Sequence, residues 1–295
     1  MQSLKWFLAL PIVATLLTGC GSPGDDTSNA DATTDGAADA TADSGPPVWS
    51  EPVPVMIDDE ASFQFRTDPT LSTDELELYY VHRSTSKPFR ATRASRTDPW
   101  GMPQEVTAIA TGNYQTTPRL SGDGRRLYFS SDGPSHVPAD VWMSSRQTVT
   151  DPWGSPAIVP ELMSGGNDLR ATPCLGATRF IFESDRDGSY ALFELAGGTV
   201  RPVETGMVGT YPFVTEDCLT LYFVAAVGST RTIFVSQRTS VDAAWAMPQL
   251  VEEIHRDGIA HIAPWVSGAG DHLVFVDAGL VLGGSPDRVL LESFR

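Results

Sequence analysis

A chain of 295 residues with a formal charge of −17 is too acidic to be drawn to nucleic acid or to an anionic lipid surface by its charge. Its three cysteines and five histidines show no zinc-ligand spacing, so neither a metal nor a cofactor is expected.

The N-terminus reads as targeting before it reads as structure. Lys5 precedes an apolar run from Trp6 to Leu17. That run is shorter than the roughly 20 residues a helix needs to cross a bilayer, and it fits the apolar core of an export signal. It ends in Leu17-Thr18-Gly19-Cys20, which resembles the lipobox of bacterial lipoproteins. The resemblance implies a signal peptide over 1–19, with Cys20 lipidated and serving as the membrane anchor. Gly21 after the cysteine, in place of aspartate, points to the outer membrane.

Between 21 and 47 the chain carries six aspartates, no lysine or arginine, and mostly Ala, Thr, Gly, Ser and Pro. Such a segment buries too little apolar surface to offset its ordering entropy, so 20–47 reads as lipidated cysteine plus disordered tether. Residues 48–295 remain for one all-β domain of net charge −12, for which solubility is sufficient explanation.

That domain repeats. Asp68-Pro69, Thr117-Pro118, Thr172-Pro173, Tyr211-Pro212 and Ala263-Pro264 each lead through a short apolar stretch and a Gly/Asp turn into an aromatic, β-branched strand. The prolines lie 49, 55, 39 and 52 residues apart, the period of four-stranded propeller blades. Third strands read Asp140 to Ser144 and Thr232 to Ser236. Outer strands open at Trp100, Trp153 and Trp245, each in a Trp-x-x-Pro sequence that blunts an exposed edge. Thr199 to Val203 supplies the outer strand of the third unit without a tryptophan. The last unit stops at Arg295, a position matched to Arg96, Arg146 and Arg238, before any outer strand. Trp49 to Val53 carries the missing one. The expectation is therefore five blades of four antiparallel strands, closed by the N-terminal strand pairing into the last blade, with six blades as the alternative. This alignment puts Cys174 at the start of one inner strand and Cys218 beyond the end of the next. Five extended residues span about 16 Å, so the two cysteines are expected to be unpaired.

Leu120-Ser121-Gly122-Asp123-Gly124-Arg125-Arg126-Leu127-Tyr128-Phe129-Ser130-Ser131-Asp132 resembles the repeat of TolB-like, WD-repeat-like propellers. Phe182-Glu183-Ser184-Asp185-Arg186-Asp187-Gly188 resembles the Ser-Asp-Arg-x-Gly turn of that repeat. The resemblance covers 48–295 and implies a fold and a binding platform. The domain that precedes the propeller in TolB is absent, and a fold does not fix an activity.

Inner strands line a propeller's channel. Counting from the prolines, Arg66, Gln115, Arg170 and His261 form an outer layer at the mouth. Asp68 and Tyr211 come next, and Arg119 and Trp265 lie deeper with Phe213 and Cys174. Arginine forks and aromatic faces suit an anionic or sugar-like ligand. No Gly-x-Ser-x-Gly elbow and no His-Glu-x-x-His is present, and Asp185 and Asp187 read as a hairpin turn, so no catalytic residue is assigned. The expected protein is a monomeric, non-catalytic envelope lipoprotein that binds a protein or an envelope glycan. The alternatives are a propeller glycoside hydrolase or lyase, which needs two channel carboxylates, and a structural lipoprotein with no small-molecule site.

Overall fold

A computed structural model describes residues 48–57, 66–134, 138–279 and 288–295; the expected export signal, Cys20 and the expected tether lie outside them. The described strands form five four-stranded antiparallel sheets, the blades of a propeller. Blade 1 holds β2 (Arg66–Leu71), β3 (Glu77–His82), β4 (Lys87–Thr92) and β5 (Gln104–Glu105). Blade 2 holds β6 (Gln115–Leu120), β7 (Arg126–Ser131), β8 (Asp140–Ser145) and β9 (Ala157–Ile158). Blade 3 holds β10 (Asp168–Cys174), β11 (Arg179–Ser184), β12 (Ala191–Ala196) and β13 (Thr199–Pro202). Blade 4 holds β14 (Thr210–Val214), β15 (Thr220–Val227), β16 (Thr230–Gln237) and β17 (Gln249–Leu250). Blade 5 holds β18 (His261–Val266), β19 (His272–Asp277), β20 (Val289–Phe294) and, as its outer strand, β1 (Val53–Pro54). Among the described residues no helix is long and apolar enough to cross a membrane.

The ring closes as the two chain ends predict. Val53 pairs with Glu292 and Pro54 with Leu291. The Ser50 amide donates to the Phe294 carbonyl at 2.7 Å, and the Val55 amide to the Leu290 carbonyl at 2.9 Å. Second strands carry the core: Leu78, Tyr80, Ile181, Phe182, Phe223 and Phe275 are fully buried. Each such side chain contributes about 1.5–3 kcal/mol by leaving water.

The repeated turn has a physical cause. In four blades a hydroxyl (Ser72, Ser121, Thr215, Ser267) accepts the amide of the residue that begins or adjoins the second strand, at 2.9 to 3.1 Å. Three residues on, Glu75, Gly124, Ala177, Cys218 and Gly270 all take positive φ, between 59° and 73°, which turns the chain back. Blade 3 has Cys174 in place of the hydroxyl residue.

A second repeat staples the blades. Arg93, Arg146, Arg238 and Arg295 stack on Trp100, Trp153, Trp245 and Trp49 at 4.2 to 4.6 Å. The Nε–H of each donates to the carbonyl of its blade's turn residue, Glu75, Gly124, Cys218 or Gly270. Arg93, seven residues before its tryptophan like Arg146 and Arg238, holds the position expected for Arg96. Two of these arginines reach back to a carboxylate of the preceding blade: Arg146 to Glu77 at 2.9 Å and Arg238 to Glu194 at 3.1 Å.

Cys174 and Cys218 form a disulfide, with Cα atoms 5.5 Å apart, which corrects the expectation of free thiols. The inner strand of blade 3 ends at Cys174, and Cys218 lies in the turn after the inner strand of blade 4. Both therefore sit at the same end of neighbouring blades, where the Leu175 amide also donates to the Glu216 carbonyl at 2.8 Å.

Candidate binding site

Every inner strand carries a bulge, and the bulge decides which side chains share a layer. The register slips between Thr67 and Thr70, Thr116 and Arg119, Leu169 and Thr172, Thr210 and Phe213, and Ile262 and Trp265. The first residue inside each slip has positive φ: Asp68, Thr117, Arg170, Tyr211 and Ala263, all between 51° and 56°. Non-glycine residues in that region cost energy, and their recurrence in every blade makes the bulge part of the ring's construction.

In four blades the slip is Xaa-Pro, whereas in blade 3 it is Arg170-Ala171, two residues before Thr172-Pro173. Counting from proline therefore misplaces blade 3 by two. Asp168, instead of Arg170, shares the layer of Arg66, Gln115 and His261. Arg170 joins Asp68 and Tyr211, and Thr172 takes the deep position expected for Cys174.

The eight predicted residues separate into three groups. Arg66, Gln115 and His261 are buried and packed against blade interiors. Arg66 lies 5.5 Å from the Tyr80 ring centre. The Gln115 amide accepts from Lys87 at 3.0 Å and donates to the Gly112 carbonyl at 3.0 Å. His261 meets Phe275 edge-on at 5.1 Å, and burial with Arg256 and His255 nearby lowers its pKa to about 4. In the same layer Asp168 is fully buried and held by Ser164, Ser184 and Arg186 at 2.6 to 2.8 Å.

The second group gathers around Arg170 at the end where inner strands begin. Its guanidinium lies 4.0 Å from the centre of the Tyr211 ring and bonds Glu183 at 2.7 Å. Glu183 also accepts the Tyr211 amide at 3.0 Å, so one carboxylate fixes both partners. Burial would weaken the Arg170 charge, but Tyr211, Glu183 and Asp68 more than restore it. Two further tyrosines, Tyr114 and the 41% exposed Tyr190, lie within the field of Arg170. Burial raises both hydroxyls, keeping them neutral donors. Sequence reasoning missed these two; Tyr114 directly precedes an inner strand, and Tyr190 directly precedes β12, a signal available from the blade alignment. Asp140, buried close by, has its carboxyl raised by burial and by Asp168.

The third group closes the axis. Arg119 is 1% exposed, and its guanidinium donates to the carbonyls of Pro69 at 2.7 Å, Pro118 at 3.1 Å and Pro264 at 3.4 Å, joining blades 1, 2 and 5. Burial lowers its pKa to about 10, against the pull of Asp68. Below it, Thr70, Thr172, Phe213 and Trp265 line a cavity of about 200 Å³ that opens on the opposite face. Arg119 and Trp265 therefore belong to that face, and Asp68 and Arg170 to the mouth.

No protein-family model matches the chain. No curated protein matches it either. Solved structures match at low identity. A TolB candidate from Agrobacterium tumefaciens is 15% identical, with 78% of this chain and 76% of that one covered, at TM-score 0.54. The α-L-arabinofuranosidase PaAbf62A from Podospora anserina, solved with cellotriose, is 12% identical over 82% of this chain and 94% of its own, at TM-score 0.55. Zg3597, a family 117 glycoside hydrolase from Zobellia galactanivorans, is 12% identical over 84% and 90%, at TM-score 0.53. Likeness at this identity concerns the fold, and it agrees with the TolB-like propeller expected from the repeat. The same fold carries glycosidases, so the fold leaves binding and catalysis both open.

Proposed function

We propose that this protein is a membrane-tethered binding module of the bacterial cell envelope, anchored through Cys20, whose channel mouth holds an envelope glycan. The observation that carries this reading is the cluster in which Arg170 lies on Tyr211, with Tyr114 and the exposed Tyr190 in its field. Tyrosine faces stack on sugar rings, and a fixed guanidinium supplies the polar contact that orients them. Of the two partner classes expected, this chemistry favours a glycan over a protein. Crosslinking of the full-length protein in its native bacterium, read by mass spectrometry, tests it. Glycan-bearing adducts at the tyrosine cluster support the reading, and adducts on protein partners at another face would replace it.

A second reading rests on Asp140. Burial and the nearby Asp168 raise its carboxyl, and glycosidases use a carboxyl of raised pKa beside a second one. Hydrolysis of a chromogenic glycoside that Asp140→Asn abolishes would establish it.

A further inference from the structure

The cavity beneath Arg119 lies on the face opposite the tyrosine cluster, and nothing in the reading of the mouth uses it. It is walled by Phe213 and Trp265, whose rings meet edge-on at 6.3 Å, and by the ends of inner strands from all five blades. Its volume, about 200 Å³, falls below the roughly 300 Å³ at which drug-sized sites begin, so its occupant is a fragment of one ring.

Its polar groups converge at the axis. Arg119 spends its terminal N–H groups on three carbonyls, yet its buried Nε–H has no partner. Among the described residues no carboxylate forms an ion pair with it; Asp68 acts on it through the field alone. The Thr70 hydroxyl lines the same cavity, accepts the Leu120 amide at 3.5 Å and keeps its own proton to donate. A buried cation with an idle donor is costly, and an anion delivered to it would repay that cost. The exposed Glu216 stands at the rim and the chain is strongly acidic, which disfavours a multiply charged anion such as phosphate.

We propose that this axial cavity is a binding site for a small aromatic monocarboxylate, its carboxylate on Arg119 and Thr70 and its ring against the wall that Phe213 and Trp265 form together. The site is independent of the mouth, so its failure leaves the glycan reading standing, and the reverse.

The test is ligand-observed NMR on the full chain with benzoate, against benzamide as its neutral counterpart. Arg119→Met removes the cation but also its bonds to three carbonyls, two of them in other blades, so a second variant carries the test. Gly268 lines the cavity, has ordinary φ, and a Cβ built on it meets nothing within 4 Å, so Gly268→Phe fills the entrance from outside the core. The expected result is saturable benzoate binding, at least tenfold weaker for benzamide and at least tenfold weaker in Gly268→Phe, whose melting temperature matches the parent. No saturable benzoate signal up to about 10 mM, where even a ~1 mM site is filled, overturns the proposal. So does equal binding of benzamide, or undiminished benzoate binding in Gly268→Phe.

Discussion

The guanidinium of Arg295 lies 4.6 Å from the centre of the Trp49 ring, so the residues at the two ends of the propeller repeat a contact that three other blades make internally. Trp49 is buried in the core cluster that includes Val266 and Leu273. Trp49→Ala therefore opens the closing strand and a cavity together, at about 3–5 kcal/mol. Arg295→Ala removes a cation–π contact alone, at about 0.5–2 kcal/mol. Denaturant unfolding of the two single variants and the double variant measures their coupling. Additive effects would mean that the stack does not hold the ring.

The Cys174–Cys218 bridge closes a loop of 44 residues between blades 3 and 4. In the chain-entropy account a loop of this length stabilises by about 4 kcal/mol. Thiol titration of the unfolded protein should find both cysteines blocked until a reductant is added. Replacing both with alanine should lower denaturant stability by that amount; full reactivity before reduction would count against the bridge.

Glu194 holds two blades through three arginines: Arg179, Arg201 and Arg238 at 2.8 to 3.2 Å. Burial pushes its carboxyl up, but Arg238 and Arg201 outweigh burial and hold it below the usual carboxylate range. Glu194→Gln leaves the buried Arg238 charge uncompensated and should cost about 3–5 kcal/mol. A loss below 1 kcal/mol in chemical unfolding would show that water replaces the carboxylate.

Two histidines set opposite limits on the pH range of stability. His261 is buried with its pKa lowered to about 4, so the unfolded chain takes up the proton first. Its contribution is present above pH ~6.5 and lost as pH falls towards 4, on the order of 3 kcal/mol. His272 is also desolvated, but Glu292 and Glu75, at 3.1 and 2.9 Å, raise its pKa. Its contribution is full below pH ~6.5 and fades as pH rises through the raised value. Melting temperature should peak near neutrality. His261→Phe should flatten the acid limb and His272→Gln the alkaline limb; limbs unchanged in both variants would assign the pH dependence to other groups.

The ring was legible because the blade repeat is written in chemistry that cannot vary freely: a positive-φ residue at each turn, a hydroxyl at four of the five turns, proline at four of the five bulges, and tryptophan under arginine in four blades. The layers of the site were legible only where proline marks the bulge. In blade 3 Arg170-Ala171 makes the same slip without it, so Arg170 and Cys174 were each placed two positions out, and the disulfide went unseen. The Glu183–Arg170 contact lies within the β10–β11 hairpin of the same blade, where Glu183 pairs with Leu169, and the same two-residue slip hides it.

The layer correction yields the sharpest test of the mouth. The sequence groups Arg66 with Arg170, but Arg66 is 1% exposed against Tyr80, whereas Arg170 lies with Tyr211 and Glu183 at the mouth. Arg66→Met should leave glycan affinity within about twofold while lowering stability. Arg170→Ala should abolish binding, yet it also strands the buried Glu183. Tyr190→Ala avoids that difficulty, because an exposed side chain contributes little to folding. Loss of one stacking face should weaken binding about tenfold, or roughly 1.4 kcal/mol, with no change in melting temperature. A glycan array followed by titration of the best ligand separates these variants. Equal losses from Arg66→Met and Arg170→Ala, with none from Tyr190→Ala, would move the site off the tyrosine cluster and back to the channel wall.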